Sequence, residues 1–126
     1  MNIRSVIKRL LPALAMLAAV LPAAASAPVD EARGVIARAA GGWPANVELK
    51  LVDKAPSGCD RFAVETRKGR LLIEGSSAVA LCRGFYDYVT SHGYGVCTWS
   101  GSRFDLPERF PDTPRREVTS PFARRL

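Results

Sequence analysis

The first 27 residues most constrain what this chain can become, because they mark it for export and leave a short length to fold. Arg4, Lys8 and Arg9 form a positive stretch, Leu10 to Leu21 is an apolar run of twelve residues, and the small residues AAASA follow. That three-part layout is a secretory signal peptide. The run is too short for a spanning helix, which needs about 20 residues. Cleavage after Ala27 fits the small-x-small rule at Ala25-Ser26-Ala27 but leaves Pro28 behind the cut; cleavage before Ser26 is the alternative. The processed chain has 99 residues, from Pro28 to Leu126. That suits one domain with one modest core and is far short of a barrel of about 250 residues. Periplasm or extracellular space is the expected location, with no membrane attachment after processing.

The net charge of +6 over the whole chain overstates the basicity of the fold. Three basic residues lie in the signal, and Arg115, Arg116, Arg124 and Arg125 crowd the last twelve positions. Between Pro28 and Pro114 there are 11 basic and 11 acidic residues. A nucleic-acid binder needs a basic face on its folded part, so that class is excluded.

Hydrophobic periodicity predicts a helix over Val29–Ala40, with Val29, Ala32, Val35, Ile36 and Ala39 on one stripe. Asp30 and Glu31 suit its N-terminal dipole and Gly41-Gly42 its end. Asn46–Val52 alternates as a half-buried strand, and Arg61–Thr66 and Arg70–Glu74 form a hairpin about Lys68-Gly69. A second helix runs from Ser77 to Ser91. Ala78, Cys82, Phe85 and Val89 line it, and Val79 and Tyr86 widen the apolar face. Val96–Ser100 reads as a short last strand. The expected fold is α+β in the order α-β-β-β-α-β, a small mixed sheet with two helices on one face.

Candidate chemistry is sparse. His92 is the only possible base for a serine triad, but it sits beside a helix-ending glycine and reads as a capping residue. Glu65 and Glu74 on neighbouring strands have the form of a carboxylate pair, yet Lys and Arg neighbours make a solvated face the simpler reading. Gly75-Ser76-Ser77 opens a helix and could hold an anion, without the lysine of a phosphate loop. Trp43, Tyr94, Trp99 and Phe104 could stack on sugars, though aromatics beside turns usually pack. Cys59, Cys82 and Cys97 are odd in number, so at least one is unpaired within the chain. Their spacing makes no zinc site, and buried free thiols are the default. The residues give no catalytic, cofactor-binding or metal-binding set, and no cofactor is expected.

One stretch says more. Residues 69–107 contain Gly75-Ser76-Ser77-Ala78-Val79-Ala80, then Phe85-Tyr86-Asp87-Tyr88, then Trp99-Ser100-Gly101-Ser102 and Leu106-Pro107. This resembles the N-terminal domain of the alpha-N-acetylglucosaminidases, glycoside hydrolase family 89. The early helix and Trp43-Pro44 fit more loosely, and Ala78 departs from the family's usual glycine. The resemblance implies an accessory domain ahead of a TIM-type barrel that removes terminal alpha-linked N-acetylglucosamine with retention. Retention uses a close pair of carboxylates. The barrel's counterpart lies past Leu126, so no catalytic residue carries over, and no activity is expected of this chain. The expected organisation is a signal over 1–27, the accessory domain over 28–107, and a Pro/Arg-rich linker over 108–126 toward that missing barrel. Three readings remain open: a truncated glycosidase, a stand-alone exported module binding glycans, and a domain that joins a separately encoded barrel.

Overall fold

A computed structural model describes residues 27–122, so the proposed signal over 1–27 lies outside the described residues except for Ala27. The described residues form two helices and six strands: α1 (Ala27–Ala40), β1 (Val47–Leu51), β2 (Arg61–Arg67), β3 (Arg70–Gly75), α2 (Ala78–Ser91), β4 (Gly95–Thr98), β5 (Gly101–Phe104) and β6 (Thr113–Thr119). The main sheet has the order β1-β3-β2-β6. β1 runs parallel to β3, while β2 is antiparallel to both β3 and β6. β4 and β5 form a separate two-stranded hairpin. The fold is α+β with a mixed sheet and both helices on one face, as the alternation and helical periods require.

Local chemistry accounts for the junctions. Lys68 and Gly69 both have positive φ, 52° and 77°, the backbone that a two-residue turn needs to match strand twist. Ser77 caps α2: its hydroxyl accepts from the Ala80 amide at 3.1 Å. That satisfies one of the donors left free in a first helical turn. Gly75 is dictated by space, since a Cβ there would stand 2.7 Å from the Leu81 amide nitrogen.

The helix-side face of the sheet presents Val47, Leu49, Phe62, Val64, Leu71 and Ile73 to α1 and α2. α2 buries Ala80, Leu81, Gly84, Phe85, Tyr88 and Val89 against them, and α1 buries Ala32 and Ile36. The core face of α2 is therefore rotated from the expected stripe. Cys82 is only half-buried, and Val79 and Tyr86 are 54% and 37% exposed. Val35 and Leu51, expected on inward faces, are also exposed.

The C-terminal third differs most from expectation. Trp99 and Ser100 form the tip of the β4–β5 hairpin rather than the end of a strand. Residues 108–126, expected as a linker, contribute β6 to the sheet. Two anchors hold it. Phe110 is buried, and its amide donates to the Gly69 carbonyl at 3.1 Å. Thr66, also buried, donates its hydroxyl to the Pro111 carbonyl at 2.5 Å, shares a hydrogen bond with the Thr113 hydroxyl at 2.7 Å, and accepts from the Thr113 amide at 2.6 Å. Mixed charge and Pro114 hide this strand in the sequence, because an edge strand needs neither an apolar run nor a full ladder.

Candidate functional site

Each feature singled out in the sequence has a definite place. His92 ends α2. Its Nδ1 lies 2.9 Å from the Tyr88 carbonyl and 3.2 Å from the Ser91 hydroxyl, and its ring stacks on Tyr88 with centroids 4.2 Å apart. The imidazole thus caps and packs. The serines of the Gly75 turn are occupied as well. Ser76 accepts from the Arg61 amide and donates to the Asp60 carboxylate, both at 2.9 Å, while Ser77 caps the helix. Their hydroxyls satisfy the chain itself rather than an anion.

Glu65 and Glu74 point to the sheet face away from the helices. In register, Glu74 sits between Lys50 of β1 and Ala63 of β2, and Ala63 faces Glu117 of β6. Arg115 gathers this row: its guanidinium lies 2.6 Å from Glu74 and 3.7 Å from Glu117. The hydrogen bond to Glu74 and the charges of Glu74, Glu117 and Glu65 raise the Arg115 pKa, against a smaller desolvation effect. Lys50 adds a contact of 4.0 Å to Glu74, and Arg67 one of 3.4 Å to Glu65. A glycosidase acid must be held neutral, typically by an apolar site. These carboxylates are held against cations, so the row serves as a charged sheet surface. Arg115 could not be assigned this place from sequence, since it lies in the segment read as linker.

The aromatics divide. Trp43, Tyr94 and Phe104 are partly buried against the core, with the Arg33 guanidinium 4.9 Å from the Trp43 ring. Trp99 is fully exposed. Its hairpin tip is held by the Thr98 hydroxyl, 3.0 Å from both the Ser100 hydroxyl and the Gly101 carbonyl. Trp99 thus does not pack β4 onto α2.

The three cysteines are free. Cys59 is buried, Cys82 is half-buried with its thiol pKa pushed up by burial, and Cys97 is exposed, contrary to a uniformly buried set. Among the described residues no group of His, Cys, Asp and Glu could hold a metal ion.

Several clefts indent the surface of the described residues, among them one of about 390 Å³ between the end of α2 and the β4–β5 hairpin. One of about 760 Å³ lies between the α1–β1 loop and residues 104–110; there the Asn46 side-chain amide donates to the Glu108 carbonyl. One of about 320 Å³ lies between the N-terminal half of α2 and the end of β6. One of about 260 Å³ lies between the C-terminal half of α2 and the start of β6. Asp87 and Arg116, paired at 2.9 Å, line the last of these.

Tyr88 is 1% exposed, and its hydroxyl has no hydrogen-bond partner among the described residues. Burial, with a lesser contribution from Tyr94, pushes its pKa up to about 12 from the ordinary 10. The unfolded chain then releases this proton before the native state does, so stability falls as pH rises from about 10 to 12. The loss is on the order of 2 kcal/mol. Tyr88→Phe is expected to remove that alkaline loss. It should also raise stability at neutral pH by about 1 kcal/mol, because an unsatisfied buried hydroxyl costs free energy. Urea titrations of both proteins at pH 7 and pH 11 measure the two effects.

Comparison with known proteins agrees with the fold. Residues 30–112 match the family model of the alpha-N-acetylglucosaminidase (NAGLU) N-terminal domain. CpGH89 from Clostridium perfringens, solved in complex with its substrate GlcNAc-alpha-1,4-galactose, is similar at 24% identity and a TM-score of 0.64 over 74% of this chain and 11% of that one. A family 89 glycoside hydrolase from the same organism, in complex with PUGNAc, is similar at 23% identity and a TM-score of 0.63 over 78% of this chain and 12% of that one. The chain thus spans about a tenth of the length of these solved relatives. No curated protein matches it. The motif at 75–80, the hairpin at Trp99 and the matched span of residues 30–112 coincide, and the chain belongs to the alpha-N-acetylglucosaminidase N-terminal domain family.

Proposed function

We propose that this chain acts as the non-catalytic accessory domain of an exported alpha-N-acetylglucosaminidase-like glycoside hydrolase, working beside a TIM-type catalytic barrel. The observation that carries the reading is the family match, which covers residues 30–112 and is to an N-terminal domain. Solved relatives devote about a tenth of their chain to this fold. The ion-paired state of Glu65 and Glu74 supports a non-catalytic role. Export rests on Arg4, Lys8, Arg9 and the apolar run that follows, and gives a periplasmic or secreted location.

The test is an assay of the purified protein with a chromogenic alpha-N-acetylglucosaminide. No hydrolysis above buffer is expected. Turnover that survives repurification and is lost in Glu74→Gln would overturn the reading.

The exposed Trp99 supports a second reading, a stand-alone module that binds glycans, because an indole face stacks on the apolar face of a sugar. Tryptophan fluorescence titrated with GlcNAc-alpha-1,4-galactose separates the two. A saturable change lost in Trp99→Ser favours binding; an unchanged spectrum leaves the accessory role alone.

A further inference from the structure

The helical layer stops short of one edge of the sheet. α1 lies over β1 and α2 over β2 and β3, which leaves the helix-side face of β6 past the layer's edge. Beside that edge α2 exposes Val79, 54% exposed, and it shows a further apolar group on its outer side at Tyr86. A cleft of about 320 Å³ between α2 and the end of β6 is lined by Phe62, Val79, Ala80 and Val118, with Arg83 and Pro121 beside them. Phe122, 67% exposed, follows at once. A helix normally buries its apolar stripe, and α2 carries more apolar surface than its own sheet covers.

The chain leaves the sheet at this groove. The Ser120 amide donates to the Asp60 carbonyl at 2.8 Å, and the Ser120 hydroxyl accepts from the Phe122 amide at 3.2 Å. Both Asp60 and Ser120 line the cleft. The chain thus runs along the cleft as far as Pro121, and a segment attached there has little span to cross. A segment so tethered docks intramolecularly at a high effective concentration, and a small contact suffices. The matched family model is of an N-terminal domain, and the solved relatives have almost nine-tenths of their length outside the match.

We propose that the α2–β6 groove is the docking seat for the domain that follows in cis, which places an apolar segment over Val79, Phe62 and Val118. This deepens the accessory reading and rests on it. The partner surface it fits is apolar, with an acceptor group able to meet Arg83 at the rim.

The test grafts this chain in place of the matching segment of the Clostridium perfringens family 89 glycoside hydrolase. Reporter cysteines are placed by Val79→Cys, Val35→Cys or Val96→Cys in a Cys82→Ala, Cys97→Ser background that leaves only the buried Cys59, and maleimide labelling rates are compared between the graft and the free chain. All three positions are surface-exposed in the free domain. The expected result is labelling at position 79 slowed about tenfold or more in the graft, as loss of exposure requires, with position 35 unchanged. Slowing at position 96 or 35 but not at 79 would overturn the groove and leave the accessory reading standing. No slowing at any position would overturn both. Protection of position 79 in the free chain that grows with its concentration would assign the groove to a second copy and also overturn the proposal.

Discussion

Gly75→Ala is expected to cost about 3 kcal/mol, the upper end of what overpacking a filled site costs. The added methyl would sit 2.7 Å from the Leu81 amide nitrogen and 2.9 Å from Leu81 Cγ. The first of these atoms is backbone in the first turn of α2, so relief requires the helix to shift away from the sheet. That shift would also disturb the Ser77 cap and the fully buried Leu81 side chain. For a domain of roughly 100 residues, this loss lowers the midpoint of thermal unfolding by about 12–24 °C. Calorimetry of the variant measures it, and a fall of less than about 5 °C would show that the junction yields more easily than its geometry implies.

Ile73→Ala is expected to cost still more, about 4 kcal/mol. Ile73 lies in the middle of β3, paired with Leu49 on one side and Val64 on the other, and is wholly buried. Gly84 of α2 rests directly on it: a Cβ at Gly84 would lie 2.9 Å from Ile73 Cγ2. Truncating Ile73 therefore empties a close contact between helix and sheet. The glycine cannot fill the space, so the cavity stays open and the cost is high within the range for such changes. Total stability for this size is of order 5–15 kcal/mol, so the variant should sit near the edge of folding at 37 °C. Ile73→Val, which keeps the branch, should cost about 1 kcal/mol. Urea midpoints for the pair distinguish a cavity effect from a general intolerance of β3.

The elements up to Ser91 were legible because each obeys one period. β1 alternates, β2 and β3 flank a turn, α1 and α2 carry apolar stripes, and Lys68-Gly69 is a turn by composition. The main errors had physical causes. Val79 and Tyr86 widened the apolar face of α2, and the sequence cannot say which part of a wide face its own sheet covers. β6 was read as linker because Arg115, Arg116 and Glu117 break any alternation. On an edge, Arg115 and Glu117 join the charge row on the open face, while Arg116 pairs with Asp87. Thr66, a single threonine in β2, turned out to anchor this strand, a role that only long-range geometry reveals. The family-like motifs were readable as strings, and their physical content came afterwards. Gly75 is there for lack of room, Ser77 for a cap, and Trp99 for a tip that faces outward. Glu65 and Glu74 were read as a solvated face, but their side chains are only 18% and 14% exposed, and the cation that organises Glu74 lay 41 positions further along.

The Thr66 anchor also sets how the domain bears tension. β6 is antiparallel to β2, and its last residues meet the start of β2 at Arg61. A pull on polypeptide leaving past Ser120 reaches the ladder from its loose end, so its hydrogen bonds are loaded in succession rather than together. Peeling of that kind needs little force at each step. It would run from Thr119 back past Val118 and Arg116 until it met Thr113, where one buried hydroxyl holds both an amide and a carbonyl. β6 is thus a compliant strand with a stop at its inner end, and tension applied past Ser120 would be spent on β6 before it reached the core.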